Sequence, residues 1–172
     1  MGAGKEPESS AGSGGTTVQR KSERELVITR RFDAPARIVF QAWTTPGLLQ
    51  RWWVPKSSGA SLLSCEADVR AGGRYRFEIG RPGSKPMVFF GQYLEVVPNA
   101  RLVWTNEESD EGAVTTLTFE EADGKTLLVL HELYPSKEAL DRTMAGMDDG
   151  MSESFSQLDG FLPTLASGAG SA

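Results

Sequence analysis

Apolar positions along this chain keep two spacings, and the changes between them divide it into elements. Glu25-Leu-Val-Ile-Thr-Arg-Arg-Phe32 is rich in β-branched residues and alternates as a half-buried strand does. Asp33-Ala-Pro35 offers a cap and an early-turn proline, which predicts a short helix through Trp43. Thr45-Pro46 opens a second short helix, Gly47 to Trp53, in the same way. The period then returns to two. Strands are predicted over 60–69, 74–79, 87–97, 101–106, 113–122 and 125–134. In one of them Tyr75, Phe77 and Ile79 alternate with Arg74, Arg76 and Glu78. Asp123-Gly124 is a strong hairpin signal between the last two. Strands joined so closely in succession form an antiparallel meander.

After Pro135-Ser136 the spacing changes to threes and fours. Leu140, Met144, Met147, Met151, Phe155, Leu158, Leu162 and Leu165 fall on one stripe of a helix. Gly146, Gly150 and Gly160 interrupt it, each at roughly 1 kcal/mol relative to Ala, so burial of the stripe must hold the helix together. A break or bend is expected near Asp148-Asp149-Gly150. Residues 1–24 are polar and small with hardly an apolar side chain, and read as a disordered tail; 167–172 read as a flexible end. One folded unit, 25–166, remains.

The sheet has one apolar face and the final helix one apolar stripe, so each buries the other. The expected fold is α+β: a curved antiparallel sheet around a long C-terminal helix, with two short helices after the first strand plugging one end of the groove. Any shortfall in filling that tapered space remains as a cavity.

Composition narrows the functions. In 172 residues, 39% are hydrophobic, and 18 Lys+Arg against 23 Asp+Glu give a net charge of −5. A mildly acidic chain without a basic stretch excludes the usual nucleic-acid binder. A single cysteine, Cys65, rules out an internal disulfide, and with one histidine, His131, no zinc-ligand spacing exists. No apolar run is long enough for a membrane span or a signal peptide, so no membrane insertion is expected and the cytoplasm is the default compartment. No phosphate loop, dinucleotide fingerprint or nucleophile elbow is present, and no cofactor is expected.

Arg31-Phe-Asp-Ala-Pro35 with Val39-Phe-Gln-Ala-Trp43, Leu49-Gln-Arg-Trp-Trp53, and above all Cys65-Glu-Ala-Asp-Val-Arg-Ala-Gly-Gly-Arg-Tyr-Arg-Phe77 form a distinctive series. Gly91-Gln-Tyr93, Arg101-Leu-Val-Trp-Thr105 and the segment from Gly150 to Leu162 continue it. The chain resembles the family of activator of heat-shock protein 90 ATPase homologues, within the START-like (SRPBCC, polyketide-cyclase-like) superfamily of helix-grip folds. That resemblance implies a hydrophobic pocket between sheet and long helix, with no shared catalytic set. Function must therefore come from the site.

For most of the candidates, a ligand role competes with plain packing. Trp52 and Trp53 close the second short helix near the expected mouth and would wall a ligand or anchor the helices. Tyr75, Phe77, Phe89, Tyr93 and Trp104 are sheet aromatics first and ligand contacts second. Met147, Met151 and Phe155 would roof the cavity, where flexible Met suits an irregular guest or an imperfect core alike. His131 and Glu132 are adjacent in a strand and point to opposite faces, so only one can enter the pocket. Glu132, if inward, must find a partner or shift its pKa. The three arginines from Arg70 to Arg76 read as strand-edge charge, Cys65 as a small hydrophobe, and Ser152 and Ser154 as helix residues.

The leading expectation is binding or sequestration of a small hydrophobic molecule of lipid, polyketide or aromatic type. The alternative is a cyclase- or hydrolase-like enzyme on such a molecule, with Glu132, His131 or a pocket tyrosine transferring protons. A chaperone-cofactor role ranks last, since the tail before Glu25 is too short and polar for the co-chaperone's other domain. Homodimerisation through the outer sheet face or an edge strand is compatible with the pattern, and no residue demonstrates it.

Overall fold

The computed structural model describes residues 9–11, 16–107, 109–145 and 150–166. Strands β1 (Ser9–Ala11), β2 (Thr17–Arg20) and β3 (Glu25–Phe32) are followed by helices α1 (Ala36–Thr44) and α2 (Pro46–Trp52). A 3-10 turn at Lys56–Ser58 leads to β4 (Ser61–Ala67), β5 (Arg74–Gly80), β6 (Met87–Val97), β7 (Arg101–Thr105), β8 (Val114–Ala122) and β9 (Lys125–Leu133). Helices α3 (Lys137–Ala145) and α4 (Gly150–Ala166) complete the described elements. The fold class is the expected α+β, with the helices packed on an antiparallel sheet.

Among the described residues the sheet has nine strands in the order β1-β2-β3-β9-β8-β7-β6-β5-β4. The meander runs from β4 to β9, and β3 pairs with β9, its far end. One difference from expectation lies at the amino end. Thr17–Arg20, assigned to the disordered tail, pairs with β3 from Thr17↔Thr29 to Arg20↔Leu26, and Thr16 is fully buried. Its single apolar residue, Val18, carries no visible period; its place comes from the ladder it joins.

Local chemistry explains most boundaries. Pro46 sits in the first turn of α2, where its missing N–H costs nothing. The α1 start departs from the expected side-chain cap at Asp33: Glu121 of β8 accepts a hydrogen bond from the Ala36 N–H at 2.8 Å instead. Asp123 and Gly124 both take positive φ, 56° and 75°, as a two-residue hairpin turn demands. The expected break at 148–150 falls largely on 146–149, outside the described residues; the residues on either side belong to α3 and α4.

Leu26, Ile28 and Phe32 of β3, Leu117 and Phe119 of β8, and Leu128 of β9 form the buried face of the sheet. Helix α4 lays Phe155, Leu158, Leu162 and Leu165 into the same core, and Phe155 meets Phe32 edge-on at 5.7 Å between centroids. In this part of the core one inward residue is charged. Arg30 is 5% exposed and donates to Thr16 Oγ1 (3.1 Å), Ser156 Oγ (3.4 Å) and Asp159 Oδ2 (3.3 Å).

Candidate functional site

Away from Phe32 the interior is not filled. A cavity of about 240 Å³ lies between α1, α2 and strands β5 to β9. An apolar cavity of roughly 150 Å³ already accepts benzene. Trp43 of α1, Leu49 of α2 and Trp53, just past its end, form one wall. Tyr75, Phe77 and Ile79 of β5 with Phe89 and Tyr93 of β6 form the facing wall. Leu102 and Trp104 of β7 and Leu130 of β9 make the floor, and Asn106, Thr115 and Glu132 close one end.

Strand alternation turns Tyr93 inward and leaves Leu94 exposed, and a bulge between Tyr93 and Glu95 shifts the register of β6 against β7 beside it. Gly91 matters at the polar end. A Cβ there would lie 2.1 Å from the Thr105 carbonyl oxygen and 2.8 Å from the Tyr75 hydroxyl, so only glycine lets these groups meet. They do: Tyr75 donates to Thr105 O at 2.6 Å.

The rings form a continuous lining. Trp43 lies 5.5 Å from Trp53 and 6.2 Å from Trp104; Phe77 lies 6.0 Å from Trp53 and 5.2 Å from Tyr75. Tyr75 and Tyr93 follow at 5.7 Å. The Trp43 Nε1 atom is buried with no acceptor among the described residues, and it shows no surface to the cavity.

Glu132 faces the cavity and His131 the outer surface. Glu132 pairs with Thr115 and Leu26, both inward, while His131 bonds Glu25 Oε2 at 2.8 Å on the far side of the sheet. Tyr134 donates to Glu132 Oε1 at 2.6 Å, and Thr115 to Oε2 at a long 3.4 Å. Asn106 donates to Ala113 O (2.7 Å) and Thr115 Oγ1 (3.0 Å). Burial pushes the Glu132 carboxyl above the usual carboxylate range, against the opposing pull of its hydrogen bonds from Tyr134 and Thr115. The Tyr134 phenol is raised as well, by burial first and the neighbouring carboxylate second. Glu132 is one of the residues that line the cavity.

Of the residues expected from sequence, Trp53, Tyr75, Phe77, Phe89, Tyr93, Trp104 and Glu132 line this space. Trp52 does not: it is 1% exposed, and its Nε1 donates to Ala42 O at 3.1 Å, tying α2 to α1. Phe155 also packs elsewhere, against Phe32 and Trp43. Met147 lies outside the described residues, as does the side chain of Met151. Among the described residues the helical wall comes from α1 and α2, and the part of the C-terminal helix expected to roof the cavity lies outside them. Helix α4 instead braces the segment after α2. Ser154 donates to Trp53 O, and Gln157 to Trp52 O and Val54 O.

Sequence reasoning missed Trp43, Leu49, Ile79, Leu102, Asn106, Thr115 and Leu130. Leu130 shares the parity of Glu132 and could have been read from it; Asn106 and Thr115 carry no signal until the strands are in register. The remaining candidates are structural. Arg70, Arg74 and Arg76 pair with Asp68, Glu107 and Glu78 at the surface. Burial raises the Cys65 thiol to about 11, which leaves it protonated and a poor nucleophile. Among the described residues no group of three or more His, Cys, Asp or Glu could hold a metal ion, and no helix is long and apolar enough to cross a membrane.

Comparison with known proteins gives a consistent picture. Residues 33–162 match the model of a family described as Activator of Hsp90 ATPase homolog 1-like protein. A crystal structure of a Rhodobacter sphaeroides protein is 24% identical, covers 87% of this chain and 99% of its own, and superposes with a TM-score of 0.80. Ms6760 from Mycobacterium smegmatis is 25% identical over 84% of this chain and 94% of its own, at a TM-score of 0.73. A Staphylococcus epidermidis protein solved by NMR is 26% identical over 84% and 93%, also at 0.73. No curated protein matches.

Proposed function

The chain belongs to the Activator of Hsp90 ATPase homolog 1-like protein family, and from that premise we propose that it binds a small aromatic-type hydrophobic molecule in the cavity beneath α1 and α2. The observation that carries this reading is the cavity itself: about 240 Å³, walled by aromatic rings and closed at one end by a few polar groups. A concave, mostly apolar space with convergent polar groups is the usual form of a small-molecule site.

The test uses 2-phenylethanol, a neutral aromatic of suitable size. Three of the four tryptophans line the cavity, so titration should shift the emission and raise the melting temperature. At a concentration of 100 times Kd the gain is about 2.7 kcal/mol. Leu130→Phe, which narrows the floor, should weaken both effects. Equal binding by that variant, or no response in the wild type, overturns the reading. Native mass spectrometry of gently purified protein should in addition find a co-purifying small molecule. A second reading assigns Glu132 to proton transfer on the guest, because a largely desolvated carboxyl sits on the cavity wall. Recovery of a natural guest chemically unchanged after prolonged incubation would remove it.

A further inference from the structure

The polar end of the cavity has a direction. Asn106 spends its amide hydrogens on Ala113 and Thr115, Thr115 turns its own toward Glu132, Tyr134 does the same, and Tyr75 donates to Thr105. Tyr93 can act as either partner. What these groups leave toward the guest is acceptor capacity, concentrated on the carboxyl of Glu132, which accepts only one short bond and one long one. A carboxylate offers about four lone-pair sites.

That carboxyl also lacks a counter-charge. Among the described residues no Lys or Arg lines the cavity. On β9 its neighbours are Tyr134 and, behind the sheet, His131, which is engaged with Glu25. Strand β8 presents Thr115, β3 presents Leu26, and α3 reaches Tyr134 through the Thr143 hydroxyl. Across the hollow stand Tyr75 and Tyr93, with Cys65 behind Tyr93. A buried carboxyl with only neutral partners, facing a ring-lined space, fits a cation from both sides: the rings attract positive charge through their faces and the carboxylate pairs with it.

We propose that the guest is an organic amine, its apolar body seated among Trp43, Trp53 and Trp104 and its ammonium group set against Glu132. This rests on the cavity reading above and adds the chemical class of the ligand. Burial moves the Glu132 titration upward, so below that titration binding displaces the carboxyl proton: the ammonium brings the positive charge, the carboxyl becomes carboxylate, and one proton leaves to solvent. Affinity therefore rises with pH through the Glu132 titration, until the amine itself loses its proton.

The experiment compares 2-phenylethylamine with 2-phenylethanol by calorimetry, in buffers of different ionisation enthalpy. The amine should bind at least tenfold tighter at neutral pH, with net proton release below the Glu132 titration. Glu132→Gln should bring the two ligands within about threefold, while His131→Gln should leave the preference intact. If the alcohol binds as tightly as the amine, the amine assignment falls and the aromatic cavity stands. If neither binds, both fall. An amine preference that survives Glu132→Gln likewise overturns the role given to that carboxyl.

Discussion

Two halves of one interior carry buried charge in opposite ways. Around Phe32, Phe119 and Leu128 the core is closed, and its inward Arg30 is held by Asp159, Ser156 and Thr16. Around Leu130 and Trp104 the core is hollow, and its inward Glu132 is held by neutral hydroxyls alone. The first charge finds its counter-ion within the chain, and its three partners tie β3 to α4 and to the segment before β2. The second finds none among the described residues. A buried ionisable group with its partner in place is architecture; one without it, facing space, is where the proposed binding role rests.

The sharpest break in that contrast comes from adjacent tryptophans. Trp52 belongs to the closed side and Trp53 to the hollow one. Trp52→Ala should cost about 3–5 kcal/mol, because it opens a cavity and strands the Ala42 carbonyl. Trp53→Ala only enlarges an existing hollow, so its loss of stability should be clearly smaller while affinity for 2-phenylethanol falls. Urea unfolding and ligand titration of both variants read the two quantities. Equal losses of stability would erase the division.

The charges give the next test, with opposite signs. Asp159→Ala leaves the Arg30 guanidinium with hydroxyl partners only and should cost about 1–2 kcal/mol, moderated by solvent at the partly exposed aspartate. Glu132→Gln should change stability by an amount that depends on pH. Since burial raises the Glu132 pKa, the native state keeps a proton that the unfolded chain has released between the two values. The contribution of Glu132 is thus fully present below the unfolded pKa and fades as pH climbs through the folded one. Glu107, held low by Thr105 and then Arg74, runs the other way. The stability of Glu132→Gln relative to wild type should accordingly improve as pH rises, and a difference flat with pH would refute the assignment.

How much of this was legible beforehand follows the same division. Alternation marked the strands from β3 to β9, and threes and fours marked the apolar face of α4, because burial there is periodic. The hollow half depends on register. That His131 and Glu132 face opposite ways is written in their adjacency, but which one faces inward is decided by Leu26 across the ladder. Trp52 and Trp53 sit where a helix ends, so no period separates them. Asn106 and Thr115 acquire meaning only when β7 and β8 bring them to the carboxyl.

Register also suggests a pair of fillings. Leu128 and Leu130 are two residues apart on the same face of β9, one in the closed half and one on the cavity floor. Leu128→Phe overpacks a full core and should cost about 1–3 kcal/mol. Leu130→Phe should be neutral or stabilising, since the larger ring enters available space, at the expense of binding. Thermal melts compare the two directly. A similar penalty for both would mean that the floor is stiffer than its volume implies.

The smallest effect belongs to His131, and it isolates the sheet as a barrier. Its imidazole is covalently next to Glu132, yet it bonds Glu25 on the outer face, with both partners partly exposed. That bond holds the Glu25 carboxyl below the usual range, with Ser22 as the second cause. The stabilisation it carries is present above the unfolded carboxylate pKa, is lost on acidification, and is weakened by salt. His131→Gln should therefore produce the least change in melting temperature of the set, and that change should shrink further at high salt. Its calorimetric titration with 2-phenylethylamine should overlay the wild type within about twofold. A larger drop would mean that charge on the outer face reaches through β9 to the carboxyl inside, and that the two faces of the sheet cannot be treated as separate environments.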